Sequence, residues 1–483
     1  MLAGSLALFG MNEFAIRLPG LLFTLLGAIT TGLLARQFYN RTIGWLATLI
    51  CMTLLFPMAH GQIAVHDVIL VPCVNLSILS IWKSITSRRT ANATKWLLLA
   101  ATFIALSMLA KGLIGVAIIG IATGLFAITG RKPLRCMLGI VIPMVVGVAV
   151  TLPWFLYVEG RDPGYMRYYF HERHFLGYVT SSQRHGAEPW FYYLPILFCG
   201  SIPWIFHTLL LGHREFRARV TALGHQPFRL LAVWLIGGVC FLSLARSKLS
   251  TYCFPLFPPM AIMVSLIWYE FSRSAGRSAA MSIMSWLLVG GSIAGIILPP
   301  VSIVVAVELL NVPAPRVVYV MSSVVSMIAV IGLVFAWTDQ RRESFMVGCL
   351  WLGAMACAML TWPFQQVATV NSQRQLANFV NNRAAPIDTI YWHGDRLASF
   401  VFYVRPDLKE KIVELPVTSA KELATYLAIP TTKHRQMVVT SDSPSELGLA
   451  ELKSESTNHQ RIGRFHVYTK NHHAITRRNT GVR

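Results

Sequence analysis

The sequence predicts a polytopic α-helical membrane protein with a small C-terminal α/β domain, and three observations carry that prediction. Of 483 residues, 54% are apolar and only 13% charged, with a mean hydropathy of +0.54, a balance that sets membrane-spanning chains apart from soluble domains of this length. Apolar runs of roughly 17–25 residues, enough to cross about 30 Å of hydrocarbon, alternate with short polar breaks as far as Pro363. Beyond Pro363 the pattern becomes the ordinary mixture of short β-rich and helical runs.

About twelve spans can be read at this length, near 14–35, 42–59, 68–83, 96–110, 112–130, 134–158, 190–212, 228–244, 253–271, 279–303, 316–337 and 344–363. The loops between them divide by charge. One alternating set holds Arg36 and Arg41; Lys83, Arg88, Arg89 and Lys95; Arg131, Lys132 and Arg135; Arg214, Arg217 and Arg219; Arg273 and Arg277; and Arg341 with Arg342. Basic loops stay in the cytoplasm, so the opposite set faces outward: the Gln62–Asp67 bend, Lys111, the 159–189 loop, Arg246 with Lys248, and the link around Glu308. By parity the region after Pro363 joins the outer set. The same parity puts Met1–Asn12 outside without a span to carry it there, so a further N-terminal span and outer loop are expected upstream.

These assignments give a membrane domain over residues 1–363, an outer α/β domain over 364–475 and a basic tail over 476–483. In the outer domain, strands are expected at Thr389–Trp392, Ile412–Leu415, Gln436–Thr440 and Arg464–Thr469. Capping-box spacings at Ser419 with Glu422, and at Ser443 with Glu446 after Pro444 at the first helical position, mark two helices. The formal charge of +21, from 42 Lys+Arg against 21 Asp+Glu, is accounted for by the cytoplasmic loops. No basic stripe lies on a soluble surface, which argues against nucleic acid as a partner. The eight cysteines stand singly in apolar runs, without metal-ligand or CxxC spacing, and read as small hydrophobes.

Candidate chemistry gathers at the outer edge. Asp67, in GQIAVHDVIL, has no Lys or Arg close in sequence, and a carboxylate at that depth needs a polar cavity or a partner; it is read as functional or as a structural ion pair at a helix end. Lys111, in MLAKGLIG, either snorkels at a turn between spans or serves a ligand. Arg246 and Lys248, in LARSKLSTYCFPLFPP, are two cations where positive charge is scarce, and an anionic lipid phosphate explains them, with or without catalysis. The stretch Glu159–Pro195 packs four Arg, three His and four acids between two apolar runs. Its Tyr165, Tyr168, Tyr169, Phe170, Phe175 and Tyr178 predict a short amphipathic helix with an aromatic face in lipid. His171 and His174 would share a face of that helix beside Glu172; together with His185 they are candidates for a proton, phosphate or metal contact.

In order and spacing over residues 1–270, these segments together resemble the aminoarabinose transferases that modify lipid A, within the C-type glycosyltransferases that include the protein O-mannosyltransferases. The likeness rests on FGMNEFAIRLPG, GQIAVHDVIL, LAKGLIG, YYFHERHFLGY, EPWFYYLPIL and LARSKLSTYCFPLFPP. The resemblance implies a bacterial inner-membrane enzyme that moves a sugar, with inversion, from a polyprenyl-phosphate donor to an acceptor at the periplasmic face, as in aminoarabinose transfer to lipid A of lipopolysaccharide. It implies that Lys248, Arg246 and Lys111 bind and stabilise the donor phosphate, that Tyr252 and His171 or His185 contact that phosphate or a divalent metal, and that Asp67 lies near the amino sugar or acceptor. Gln62, Ala110, Leu113 and Ser250 depart from the family's usual Arg, Thr, Pro and Pro. The family's first outer loop, which supplies the proposed base, would precede residue 1, and a chain without it would be impaired.

The alternative of the same class is transfer of another polyprenyl-phosphate sugar, mannose or hexosamine, to a protein or surface glycan, and a scaffold or degenerate paralogue is an alternative of a separate class. A flippase for lipid-linked sugars is the alternative of another class, but it would place its charges near the bilayer midplane, whereas this chain has them at the outer edge.

Overall fold

The computed structural model describes residues 1–63, 65–87, 89–130, 134–176, 178, 188–273, 279–310, 314–361, 373–382, 389–393, 397–414, 436–440, 457–462 and 465–470. The chain divides into two compact units, Met1–Val305 with Arg316–Ala358, and Ala306–Pro315 with Met359–Arg483. The second unit therefore takes in a short segment from within the region the sequence assigns wholly to the membrane domain.

The first unit is helical. Its helices are α1 (Leu2–Phe9), α2 (Glu13–Phe38), α3 (Arg41–Met52), α4 (Leu55–His60), α5 (Leu70–Thr86), α6 (Thr90–Lys111), α7 (Leu113–Thr129), α8 (Leu134–Arg161), α9 (Tyr193–Gly200), α10 (Ile205–Thr208), α11 (Arg214–Ala222), α12 (His225–Leu244), α13 (Phe257–Arg273), α14 (Ala279–Leu310), α15 (Arg316–Trp337) and α16 (Arg341–Thr361). The apolar runs expected to span are helical over most of their described length, but where the sequence reads about twelve spans, eight helices among the described residues are long and apolar enough to cross a membrane, or nine if one bent pair is counted. That pair is Tyr193–Gly200 with Ile205–Gly212, bent by 106°, where the sequence reads one continuous span over 190–212. The runs at 42–59 and 112–130 become shorter helices, α3 followed by α4, and α7.

Local chemistry fixes the helix starts. Asn12 and Asn40 cap α2 and α3, their side-chain oxygens accepting from Ala15 N at 2.8 Å and Ile43 N at 3.0 Å, which satisfies amide groups that have no partner within the helix. Small residues let the helices close on one another. A Cβ at Gly32 would lie 2.8 Å from the carbonyl oxygen of Gly44, and one at Gly44 would lie 2.9 Å from the carbonyl oxygen of Gly32, the close backbone approach typical of membrane helix pairs. The fully buried Asn75 of α5 reaches across to α2, donating to Thr30 Oγ1 at 3.1 Å and Thr31 Oγ1 at 3.0 Å. α13 is the most enclosed span: 89% of its apolar window, taken from Ser250, is buried, so it forms the centre of the unit.

The second unit is a five-stranded mixed sheet of order β2-β1-β3-β5-β4, with β1 Thr389–His393, β2 Ile412–Glu414, β3 Gln436–Thr440, β4 Thr457–Ile462 and β5 Phe465–Lys470. β1 pairs in parallel with β2 and β3, while β5 is antiparallel to β3 and β4. Its core joins Trp392, Met437, Val439 and Val467 to Leu376, Val380 and Phe400 from the helices α17 (Arg374–Asn381) and α18 (Leu397–Tyr403). Strands β1, β2, β3 and β5 match the expected positions within a residue or two; β4 is additional. The two expected capping boxes, and the basic tail, lie outside the described residues.

Candidate active site

The site is built where three chain segments, far apart in sequence, meet one carboxylate. The turn His66–Ile69 leads straight into α5 and buries Asp67, which is 1% exposed. Lys111 is the last residue of α6, and Gly112 follows at φ 72°, a left-handed conformation that glycine takes without strain. The chain can thus reverse at once into α7 and leave Lys111 at the helix end. The third segment, Ser250–Leu256, is a tight 3₁₀ stretch that enters α13.

The Lys111 ammonium donates to Asp67 Oδ1, and the Thr251 hydroxyl donates to Asp67 Oδ2. His66 Nε2 stands 3.3 Å from Oδ1. Lys111 Nζ lies 5.4 Å from the centre of the Tyr252 ring, within the range of a cation–π contact. A buried carboxylate without partners would be costly; here both oxygens are engaged. Where the sequence shows Asp67 with no nearby cation, the fold supplies one from 44 positions along the chain. The structure therefore gives Asp67 and Lys111 an ion pair, the alternative the sequence left open for Asp67.

A second layer holds the segment that carries Arg246, Lys248 and Tyr252. The buried Lys248 ammonium donates to the carbonyl of Glu188 at 3.0 Å. Burial pushes its pKa below the usual lysine range, with the Glu188 charge acting in the opposite direction. The Tyr193 hydroxyl donates to the carbonyl of Leu249 at 3.2 Å, and the Arg246 amide donates to the carbonyl of Tyr178 at 3.0 Å. Tyr178 in turn stacks on Phe241, with ring centres 5.3 Å apart. The Arg246 side chain is exposed. The polar stretch seen in the sequence thus grips the cationic segment through backbone carbonyls and tyrosines.

The first part of that stretch differs from expectation. Glu159 accepts from Gly164 N at 2.9 Å and Met166 N at 2.7 Å, so it closes the turn that follows α8. Residues Arg167–Leu176 then form a helix wound wider than an α-helix, of π type. Tyr169 and Phe170 pack on Phe155 of α8 at 5.5 and 5.0 Å, while Tyr168 and Phe175 are exposed. The aromatic residues are therefore split between the protein and its surroundings and do not form one lipid-facing row. The face that His171 is expected to share with His174 lies outside the described residues, because the His174 side chain does. His171 is exposed and stacks on Phe175 at 6.1 Å, and Glu172 is half-buried. His185, and the side chain of His174, lie outside the described residues. Among the described residues no three His, Cys, Asp or Glu side chains come together to hold a metal ion.

Thr251 and the Glu188 carbonyl are the site groups that residue-by-residue reading missed. Thr251 lies inside the same SKLSTY string as Lys248 and Tyr252, but a lone threonine carries no signal until Asp67 is seen beside it.

Residues 1–157 match the family model described as dolichyl-phosphate-mannose-protein mannosyltransferase. An undecaprenyl phosphate-α-4-amino-4-deoxy-L-arabinose arabinosyl transferase of Erwinia tasmaniensis is 29% identical over 262 residues, covering 53% of this chain and 46% of the relative. A transferase of the same name from Pseudomonas fluorescens is 24% identical over 501 residues, covering 97% and 84%. The crystal structure of ArnT from Cupriavidus metallidurans bound to undecaprenyl phosphate superposes with a TM-score of 0.73 at 19% identity, covering 97% of this chain and 86% of that one. The chain shares the fold of that ArnT structure and is similar in sequence to the aminoarabinose transferases. It is a multi-pass membrane protein. In the Erwinia alignment the chain spans about half the length of the curated relative.

Proposed function

We propose that this chain transfers 4-amino-4-deoxy-L-arabinose from undecaprenyl phosphate to lipid A, in the bacterial inner membrane with its second unit in the periplasm. The observation that carries the reading is the joining of Lys111 and Tyr252 around Asp67, with Lys248 and Arg246 on the same segment as Tyr252, in a chain whose curated relatives bear that transferase name.

The reaction is a displacement at the anomeric carbon. A phosphate oxygen of lipid A attacks that carbon from the face opposite the donor phosphate and forms the new C–O bond. The old C–O bond breaks, and undecaprenyl phosphate leaves with the electron pair. Negative charge grows on the leaving phosphate, and cations already in place in a water-poor site stabilise it without reorganising. Lys248 supplies a compact charge from a buried position, and Arg246 a fork that matches phosphate oxygens.

The acceptor phosphate is already anionic, so the attack needs no strong base. Asp67, with both oxygens engaged, acts as a positioning residue. It aims Lys111 and ties Thr251, and with it the Tyr252 segment, to the start of α5. The test is reconstitution of the purified chain with lipid A and separate polyprenyl-phosphate donors carrying aminoarabinose, mannose or hexosamine, followed by mass spectrometry of lipid A. Aminoarabinose addition is expected. Transfer of mannose to an added protein acceptor, with lipid A unchanged, would replace this reading with the mannosyltransferase alternative that the family model for residues 1–157 favours.

A further inference from the structure

At the opposite end of the first unit, where the basic loops place the cytoplasm, cations lie against aromatic rings. Arg341 sits 4.4 Å from the Phe271 ring, Arg273 5.1 Å from Tyr269, and Arg229 4.8 Å from Phe126. The first two also have oxygen partners. Arg341 donates to Asp339 at 2.7 Å and to the Phe271 carbonyl at 2.8 Å, and Arg273 donates to the Tyr269 hydroxyl at 2.5 Å.

Arg229 differs. Its Nε and Nη2 are buried and have no hydrogen-bond partner among the described residues. The guanidinium lies between the start of α12 and the end of α7, so close to Gly130 that a Cβ there would stand 2.1 Å from Nη2. Phe126 beneath it is backed by Trp82 of α5, 5.7 Å away, and Trp82 by Phe38 of α2, 4.9 Å away. At the head of α12, Tyr39 rests on Gly224 and buries a hydroxyl that likewise has no partner among the described residues. A permanently charged group with buried, unused donors needs an acceptor. A carbonyl would satisfy one donor, whereas the planar fork of a guanidinium fits the paired oxygens of a phosphate. Anionic phospholipid phosphates are concentrated at the cytoplasmic surface of a membrane.

We propose that Arg229, seated on Phe126 and Gly130 at the cytoplasmic ends of α7 and α12, binds a phosphate group, that of an anionic phospholipid headgroup or a free phosphate ion. The site is independent of sugar transfer and lies at the other end of the helices from Asp67.

The experiment is native mass spectrometry of the purified full chain with phosphatidylglycerol, with phosphatidylcholine and with inorganic phosphate, on the unaltered protein and on Arg229→Gln, Arg229→Lys and Arg273→Gln. The unaltered protein and Arg273→Gln should retain phosphatidylglycerol over phosphatidylcholine. Arg229→Gln should bind it about tenfold more weakly, the scale expected for losing charge-assisted hydrogen bonds. Arg229→Lys, which keeps the charge and loses the fork, should fall between them and serves as the variant to read if Arg229→Gln does not fold. Displacement of the lipid by inorganic phosphate would assign the site to the free ion, and retention in its presence to the headgroup. Equal retention of the two lipids, or equal loss in Arg229→Gln and Arg273→Gln, would overturn the proposal.

Discussion

At the scale of single residues, Asp67 holds the site together because its two oxygens receive groups from two other segments, Lys111 and Thr251. Removing one member of a buried pair leaves an uncompensated charge and costs about 3–5 kcal/mol, whereas replacing both with apolar groups costs far less. Lys111→Met and Asp67→Leu should each lower the thermal unfolding midpoint, and the double variant should lie well above the sum of the two losses. The cycle should return a coupling of about 1–3 kcal/mol; simple additivity would mean the pair is not formed. Lys248 yields a pH prediction. Burial holds its pKa below the usual lysine range, so the ammonium loses its proton at a lower pH than an ordinary lysine. Donor affinity should then fall as pH rises through that value, and Lys248→Arg, which stays charged, should extend binding to higher pH. Identical alkaline limbs for the two proteins would separate Lys248 from the donor phosphate. The residues of this site were legible one by one: Asp67, Lys111, Arg246, Lys248 and Tyr252 all stand out as polar groups at the edges of apolar runs. Their pairing was not, because 44 and 184 positions separate Asp67 from Lys111 and Thr251 and nothing in a one-dimensional pattern encodes which helix ends meet.

At the scale of elements, hydropathy sufficed for the spans, since a helix in lipid must be apolar along its length whatever it packs against. Direction is another matter. The run over 190–212 is largely apolar, yet its two helices meet at 106°; hydropathy is blind to such a bend, which falls on Gly200, Ser201 and Pro203. Strand β4, TNHQRI, was invisible for a different reason: among the described residues it is an edge strand paired with β5 alone, and its polar residues show no alternation to read. The crossing of α2 and α3 depends on missing side chains. Gly32→Ala would place a Cβ 1.8 Å from Thr48 Oγ1 and 2.8 Å from the Gly44 carbonyl oxygen, so the helices must part, at a cost of about 1–3 kcal/mol. Thr48→Ala should relieve only part of that loss in thermal unfolding, because the backbone oxygen remains. Full rescue by Thr48→Ala would show that the backbones have room to spare.

At the scale of the whole molecule, the two sites proposed to bind phosphate hold their cations in different ways. At the first, Lys111 is held by the Asp67 carboxylate and the Tyr252 ring, and Lys248 by the Glu188 carbonyl, so both are positioned in advance. At Arg229 buried donors have no hydrogen-bond partner among the described residues. That contrast is the physical basis for proposing chemistry at the first site and phosphate binding alone at the second. The most direct test of the transfer reading compares the unaltered chain with Lys248→Ala, each reconstituted with undecaprenyl-phosphate aminoarabinose and lipid A, by the rate at which aminoarabinose-modified lipid A appears in the mass spectrum. The expected result is steady modification by the unaltered chain and a loss of about a hundredfold or more in Lys248→Ala, the scale of removing one group that stabilises transition-state charge. Equal rates, or no modification by the unaltered chain, would contradict it.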